Sequence, residues 1–407
     1  MGLPKVELPF QNGNLALVEG TEDGIFGLVV SADDNPSLTI GEVYSVKTLA
    51  DCTALGILDT VENHFFYKFL TDFYAAAGEG NKLWIFPIAR TELMSDQFKP
   101  GVSGIEPVRK MCDAANGEIS LIFTCWNPDN TVTLTTEDGV DEDVWETITA
   151  AQTFCTNYTT AKAAPVSVIT EGYNYNGTDD LVTLQEMTNN RVAVVIGNTE
   201  KRSGLTSAKG ASLGKLAGRL AVNKVSTNAG RKKSGPLYDE TVYIVDTPVE
   251  LFDVEMLHDL GFITFRMHLK SSGYYITDTP MACDPTDDYG NLTRRRTIDK
   301  AYRLGFVQVN EELLEDFPLT SSGTIDPIYA KQIEQNVISS IYTNMALNGE
   351  LSVDPTNTTD KGCVCKIDLT YPTGTTNKIK FIAFQVKPKG YANLIEVPIG
   401  FVPFNAN

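Results

Sequence analysis

The sequence predicts an α/β protein: a large N-terminal α/β domain followed by a C-terminal α+β domain. Three observations favour this class. Short apolar runs rich in Val, Ile and Phe read as buried strands. Up to about residue 240 these runs alternate with segments of helical periodicity, the rhythm of an α/β sheet. Beyond that point the pattern changes to a hairpin followed by two long helices.

The composition is that of a globular protein, with 42% hydrophobic and 21% charged residues among 407. The formal net charge is −19 and the pI is about 4.6. Because binding to phosphate backbones needs a basic surface, we expect no nucleic-acid partner. We also expect no signal peptide, since the first residues lack an apolar core behind a basic segment. No run approaches the roughly 20 apolar residues that span a bilayer, so we expect no membrane contact.

The first elements of the chain are predicted in the order arm, strand, helix, strand. Residues 1–24 begin with "LPKVELPF", whose prolines and alternation indicate an extended arm. Residues 25–32 then read as a buried strand. The aromatic segment "NHFFYKFLTDFYAAAGEG" has helical spacing and ends in glycines, and it leads directly into the apolar "NKLWIFPIAR".

The same alternation continues to the predicted domain boundary near residue 240. Strands are expected in "ISLIFTCW", "APVSVITEG" and "RVAVVIGN", with an acidic loop and a helix between the first two. The segment "SAKGASLGKLAGRLAVNK" reads as a helix carrying Gly210, Gly214 and Gly218. Glycines four residues apart form a stripe that lets a second element approach closely. Residues 25–240 are therefore predicted to be one α/β domain.

Residues 241–388 are predicted to form the second domain. "HDLGFITFRMH" and "GYYITDTPMA" read as a hairpin. Two helices follow, one around "NLTRRRTIDKAYR" and one around "DPIYAKQIEQNVISS", each preceded by an Asn or Asp that suits a helix N-cap.

Two further strands are predicted at the end of the chain, and residues 389–407 form a terminal arm. In the last strand Ile395, Val397, Ile399 and Phe401 alternate, so they would line one face. A strand must pair its backbone somewhere, either within its own chain or on another molecule.

A search for catalytic, cofactor and metal sites in the sequence finds no candidate. The three histidines, His64, His258 and His268, have no nucleophile or ligand partner at a telling spacing. "GASLGKLAG" lacks the spacing and the Ser or Thr of a phosphate loop. Cys363 and Cys365 are too few for a zinc site, and the odd total of seven cysteines indicates free thiols. We expect no enzyme activity and no cofactor.

One positive cluster does emerge on this acidic chain. Its members follow one another on a single predicted helix: Arg294, Arg295, Arg296, Lys300 and Arg303. The simpler interpretation is a solvated helix face tied by i,i+4 pairs with residues such as Asp299. The more specific interpretation is that the cluster docks on an acidic patch of a neighbouring copy, because arginine binds carboxylates bidentately.

Taken in order, these features resemble the contractile tail sheath proteins of phages, tailocins and related injection systems. The likeness rests on the opening "LPKVELPF…GTEDGIFGLVVSA", the aromatic helix and strand ending in Arg90, and the hairpin near residue 270. It continues through "NLTRRRTIDKAY" and the closing "VKPKGYANLIEVPIGF". The sequence departs from the family pattern at Lys5, where Pro-Gly-Val is common, and in "SAKGASLGKLAGRL".

The resemblance implies a structural subunit of a helical homopolymer. Its N-terminal arm, with Val6 and Leu8, and its final strand would add to the sheet of neighbouring C-terminal domains. That C-terminal domain would face an inner tube, and the other domain would face outward. Baseplate and tail terminator proteins would be further partners, in a virion tail or injection particle assembled in the bacterial cytoplasm.

Two alternatives stay open at this point. The chain could be another structural or adhesion component of a virion or secretion system, with exposed loops and no dependence on its terminal strands. It could also be an α/β enzyme, which would be a monomer or closed oligomer with a polar pocket.

Overall fold

The computed structural model describes residues 22–178, 180–203 and 208–401. The strands in these ranges are β1 Phe26–Ala32, β2 Tyr44–Val46, β3 Leu83–Ala89, β4 Leu121–Cys125, β5 Thr136–Glu137, β6 Val140–Asp141, β7 Ser167–Glu171, β8 Thr188–Asn189, β9 Val192–Val195, β10 Tyr243–Ile244, β11 Thr247–Pro248, β12 Phe265–Met267, β13 Tyr274–Ile276, β14 Ala282–Cys283, β15 Cys363–Ile367 and β16 Phe381–Val386. The helices are α1 Leu49–Ala54, α2 His64–Ala77, α3 Arg109–Ala114, α4 Glu142–Lys162, α5 Gly214–Val222, α6 Val254–Asp259, α7 Leu292–Asn310, α8 Pro327–Ile341 and α9 Thr373–Thr376.

A six-stranded sheet organises the first part of the chain, in the order β2-β3-β1-β4-β7-β9. All neighbours are parallel except the edge strand β2, which is antiparallel to β3. Phe26 at the start of β1 lies opposite both Leu83 of β3 and Leu121 of β4. The central strands are buried throughout, as a parallel sheet covered on both faces requires. The predicted α/β class is confirmed.

Right-handed crossovers place α2 on one face of this sheet and α3 and α4 on the other. Helix α5 packs along α2, and two glycines allow the close approach. A Cβ on Gly214 would lie 2.5 Å from the carbonyl oxygen of Phe69, and one on Gly218 would lie 2.4 Å from that of Phe73. The predicted glycine stripe therefore serves helix packing at these two positions.

Helix α5 is shorter than predicted, since it begins at Gly214 rather than near residue 207. The residues just before it bond to the sheet end instead of continuing a helix. The Ala211 amide donates to the Glu171 carboxylate at 3.0 Å, and the Ser212 hydroxyl donates to the Asn198 side chain at 2.9 Å. Gly210 thus lies beside Glu171 rather than on the helix.

The first compact unit extends to Glu315, so the boundary predicted near residue 240 falls inside it. The reason is that later segments complete the sheet region. Ile263 forms a parallel bridge with Val195 of β9, and β14 pairs with β8. Strands β12 and β13 form the predicted antiparallel hairpin, and the Asn291 side chain caps α7 by accepting the Thr293 amide at 3.0 Å.

The second unit begins at Asp316 and is much smaller. Helix α8, capped by Asp326 as predicted, packs against β15, which pairs antiparallel with β16. The buried core joins Ile325, Ala330 and Ile333 to Ile367. A sheet of only two strands is marginally stable unless something else covers it. The second unit is thus sparsely stabilised by its own described residues.

We predict that Gly218→Ala lowers the free energy of unfolding by about 1–3 kcal/mol, because the added methyl group collides with the α2 backbone. Chemical denaturation measures the loss. Gly101→Ala is the matched control, since its Cβ would come no nearer than 3.6 Å to the Ile105 carbonyl oxygen. Equal effects of the two substitutions would contradict the packing role of the glycine.

Candidate assembly interface

The predicted last strand is not formed within the single chain. None of residues 391–401 takes part in a strand pairing, and their side chains are exposed. Ile395 and Val397 are about three-quarters exposed, and Ile399 and Phe401 are almost fully exposed. The strand predicted for this segment is one that pairs with a neighbouring chain, so its pairing stays a prediction; within the single chain, residues 394–401 form no strand pairing. Val6 and Leu8 lie outside the described residues.

Exposed apolar side chains also mark the two-stranded sheet of the second unit. Val364 on β15 and Phe384 on β16 are each 37% exposed, and Ile382 on β16 is 61% exposed. Apolar surface exposed on sheet edges is a template for association with other strands. The second unit therefore holds both an exposed apolar segment and an incompletely covered sheet.

Most of the arginine cluster on α7 points into its own unit. Arg295 donates two hydrogen bonds to Asp299, at 2.6 and 3.2 Å, and Arg191 donates to the same carboxylate at 3.3 Å. All three side chains are nearly buried. The i,i+4 pair with Asp299 that the simpler interpretation expected is present, although it is buried rather than solvated.

The other basic residues of α7 hold distant parts of the unit together. Arg296 donates to the carbonyl oxygens of Asp23 and Leu220, at 3.2 and 3.0 Å, and Lys300 pairs with the Asp23 carboxylate at 2.7 Å.

Arg303 is bound in the same way, since it donates to the carbonyl oxygens of Ile119 and Pro165. Burial lowers the pKa of Arg303 from its usual range.

The docking-face interpretation therefore needs correction for Arg295, Arg296, Lys300 and Arg303. Each of them binds at least one carbonyl or carboxylate oxygen of the same unit, and Arg295 and Arg296 are buried. Arg294 alone of the five is exposed. A charge contact with a neighbouring molecule would have to involve that residue.

A buried carboxyl group escaped the sequence analysis. Glu171 ends β7 and accepts the amides of Trp126 at 2.8 Å and Ala211 at 3.0 Å. Burial raises the pKa of Glu171 to about 8. The only sequence signal for a buried Glu171 was its position at the end of the apolar run "SVITE". An acidic residue at that position could equally be exposed to solvent. It joins two loops at the carboxyl end of the sheet.

The carboxyl end of the central strands, where open α/β sheets bind ligands, is filled by side chains. The Arg90 side chain donates to the Asn127 backbone carbonyl oxygen at 3.0 Å. The Asn127 side-chain amide donates to the Glu62 backbone carbonyl oxygen at 3.0 Å. The Asn63 side chain accepts the Asp33 amide at 3.3 Å. These hydrogen bonds link the loops that follow the central strands.

Two of the three histidines contact other side chains, whereas the buried Nδ1 of His258 has no hydrogen-bond partner. His64 bonds to Asp59 at 2.6 Å and to Glu200 at 2.8 Å, and the ring of His268 packs edge-on against Tyr275. The seven cysteines are buried free thiols. Among the described residues, no cluster of three or more His, Cys, Asp or Glu could hold a metal ion.

One surface cleft, of about 870 Å³, lies beside the loop at residues 99–107. Its lining includes Glu106 and Arg109, which form an ion pair at 2.8 Å. None of the helices in the described ranges has the length and apolar character needed to cross a bilayer.

Comparisons with known proteins bear on what these surfaces serve. The family model for the DUF2586 N-terminal domain matches residues 3–280. No curated protein sequence matches the chain.

Several solved structures are similar over 98% of this chain. A chain of the anti-feeding prophage (AFP) helical sheath in the contracted state has a TM-score of 0.59 at 14% identity, and 99% of that chain is covered. A chain of the AFP baseplate, 6-fold symmetrised, has a TM-score of 0.58 at 14% identity, again with 99% covered. The PVC sheath complex in the contracted state gives 0.50 at 11% identity, with 98% covered. The resemblance to contractile sheath proteins is thus confirmed at the level of fold.

We predict that the free energy of unfolding falls as the pH rises from about 4.5 to about 8. In this pH range Glu171 is protonated in the folded state, where its pKa is about 8, and ionised in the unfolded state. The folded state therefore binds one more proton than the unfolded state, and the free energy of unfolding falls as the pH rises. Asp141, whose pKa is raised to about 6, contributes to the lower part of the window. Urea denaturation across this range measures the slope.

Glu171→Gln should flatten the dependence above about pH 6, because the uncharged amide does not titrate. Glu137→Gln on the exposed β5 is the control and should keep the wild-type slope. An unchanged slope in Glu171→Gln would show that another group is responsible.

We also predict that alanine substitution of two adjacent arginines changes the free energy of unfolding by very different amounts. Arg295→Ala should cost about 3 kcal/mol of unfolding free energy, because it breaks a buried ion pair with Asp299. Arg294→Ala should change stability by no more than about 0.5 kcal/mol, because its side chain is exposed. Thermal and chemical unfolding of the two variants makes the comparison. A similar loss in both would contradict the placement of the cluster.

Proposed function

Because the chain belongs to the DUF2586 family and has the fold of contractile sheath proteins, we propose that it is the structural subunit of a contractile tail sheath. The subunits would polymerise helically around an inner tube and shorten to drive that tube through a target envelope. The observation that carries the proposal is the similarity over 98% of the chain to a sheath chain in its contracted state. The role is mechanical rather than catalytic.

The terminal segments are the proposed links between subunits. Val6 and Leu8 of the N-terminal arm, and Ile395, Val397, Ile399 and Phe401 of the C-terminal arm, would pair as strands on neighbouring chains. The exposed, unpaired state of residues 394–401 supports this for the C-terminal arm. Head-to-tail links of this kind do not close on themselves, so they build helical tubes rather than dimers.

The mechanism follows from the way strands pair. Backbone ladders between subunits stay intact while each compact unit swings as a rigid body about its arms. The extended sheath would be a metastable state held by the baseplate and the tube, and release would bury more surface between subunits. No nucleotide hydrolysis by this chain is required. Arg294 remains a candidate for a charge contact that differs between the two states.

The two compact units differ in net charge. Residues 316–407 hold eight acidic and seven basic residues, a net charge of −1, so residues 1–315 carry −18 of the total of −19. A strongly acidic unit suits the solvent-facing side, where like charge limits non-specific association. Residues 241–388 would face the tube, and residues 25–240 would face outward. The inner tube, baseplate and tail terminator proteins are the proposed partners, in a particle assembled in the bacterial cytoplasm.

The two alternative functions have less support. An enzyme would need reactive groups at an accessible polar site, whereas Glu106 and Arg109 in the surface cleft are held in an ion pair with each other. An adhesion component would not require exposed apolar residues on a terminal segment.

We predict that the purified full-length chain forms long hollow tubes with helical striations in negative-stain electron microscopy. Only small discrete particles at every concentration and salt tried would contradict the proposal.

A chain ending at Lys389 should stay monomeric and folded, because residues 394–401 are exposed and contribute little to the core. Its thermal unfolding midpoint should match that of the full-length chain at a concentration where both are monomeric. A large drop in the midpoint would show that the last segment pairs within its own chain.

A further inference from the structure

A basic surface lies on the strongly acidic first unit, at the β12–β13 hairpin and the loop before β10. Residues 224–236 hold four basic and no acidic residues, and residues 260–273 hold two basic and no acidic residues. The first unit as a whole carries a net charge of −18. We call five exposed members of this set the basic face: Arg231, Lys232, Lys233, Arg266 and Lys270.

The loop and the hairpin are joined by backbone hydrogen bonds, so the basic face is one surface. The Leu237 amide donates to the Tyr274 carbonyl oxygen at 2.7 Å, and the Tyr274 amide donates to the Tyr238 carbonyl oxygen at 2.7 Å. Arg219 on α5 also fixes the loop, since its guanidinium donates to the Gly235 carbonyl oxygen at 3.1 Å. The basic residues of the two segments are therefore held near one another.

The basic face has no carboxylate partners of its own. Within residues 22–178, 180–203 and 208–401, none of its five side chains forms an ion pair. Burial and the neighbouring charges of Arg266 and Lys232 lower the pKa of His268, which places these two cations beside the same ring. Like charges held side by side repel one another, and an anionic partner relieves that repulsion.

The end of α7 is a complementary surface. Residues 309–315, called here the acidic segment, hold three acidic residues and no basic residue. Glu311 and Glu315 are exposed. Leu313 is 70% exposed and Leu314 is 97% exposed. Leu314 also has a φ of 68°, a left-handed conformation that bulky residues seldom adopt. The acidic segment thus presents both carboxylates and leucine side chains at its surface.

The turn between β5 and β6 is also acidic, but it fits the basic face less well. Its Glu137 and Asp138 are exposed while Val140 is buried, so it offers charge without apolar surface. The basic face has an apolar neighbour, because Leu269 is 90% exposed and directly precedes Lys270. Protein interfaces usually combine an apolar centre with a polar rim. Leucines and opposite charges on both sides therefore favour the acidic segment.

We propose that the basic face binds the acidic segment of a second copy of this chain. The proposal rests on the proposed sheath function, which supplies the second copy, and it adds a contact between first units to those of the terminal arms. The two surfaces are different parts of one chain, so the contact is heterologous and each copy can bind a neighbour on either side. Complementary charge also selects this orientation, because the net negative charge of the first unit disfavours others.

Reversing the charge of either surface tests the proposal. Lys232→Glu with Arg266→Glu should raise the concentration needed for tube formation at least about tenfold, because like charges would then meet. Glu311→Lys with Glu315→Lys should have the same effect, for the same reason. The chain that carries all four substitutions has opposite charges again and should return to within about threefold of the wild-type concentration. Negative-stain electron microscopy over a dilution series makes the measurement.

A matched control separates the contact from a general effect of charge. Glu137→Lys with Glu186→Lys gives the same change in net charge at two other exposed positions. This variant should change the concentration needed for tube formation by less than about threefold. An equal loss in the control variant, or no recovery in the chain with four substitutions, would overturn the proposal.

A mixing experiment measures the contact without requiring tubes. A tagged chain with Lys232→Glu and Arg266→Glu should retain at least about tenfold more of the untagged Glu311→Lys, Glu315→Lys chain than of its own untagged variant. In the first mixture each reversed surface meets a surface of opposite charge, whereas in the second mixture negative surfaces meet. The terminal arms are unchanged in both variants, so the comparison subtracts their contribution.

Equal retention in the two mixtures would overturn the proposal. If a reversed pair fails a thermal unfolding check, Arg231→Glu with Lys233→Glu replaces the basic pair, and Glu315→Lys alone replaces the acidic pair. Selective retention without tubes from the wild-type chain would leave the contact standing and would contradict the sheath function. Tubes from the wild-type chain with equal retention would leave the sheath function standing and contradict the contact.

Discussion

Every backbone amide and carbonyl in a strand needs a partner, and the two compact units of this chain meet that requirement differently. The first unit meets it internally: the central strands of its six-stranded sheet pair on both sides, and helices lie on both faces. The second unit meets it only in part, because its sheet has two strands and one helix over one of them. The first unit is thus more fully stabilised by its own described residues than the second.

Polar side chains also link the loops at the carboxyl end of the sheet in the first unit. Parallel sheets usually offer a crevice at their carboxyl ends, but here Arg90, Asn63 and Asn127 occupy it. Glu171 joins the loops at the same end and is bonded by two backbone amides. These contacts fix the loops at this end of the sheet relative to one another.

Helix α7 shows how charge can serve the interior of an acidic protein. Its arginines satisfy carbonyl oxygens at the ends of other elements, which would otherwise be buried without partners. Arg295 and Arg191 share the carboxylate of Asp299, so the positive charge inside the unit is partly balanced. The surface of the first unit is left strongly acidic, while the second unit is close to neutral.

The sequence by itself determined the elements whose signals are local. Apolar runs marked β1, β3, β4, β7 and β9, aromatic spacing marked α2, and Asn291 and Asp326 marked the starts of α7 and α8. Alternation also identified the apolar face of residues 395–401, although not whether it would pair. Tertiary structure alone decided the unit boundary at Glu315 and the burial of Arg295 and Arg296 on α7. Both features depend on residues far apart in the chain, such as Arg296 and Asp23, which are 273 positions apart. A local sequence pattern cannot predict which distant group will bind a charged side chain.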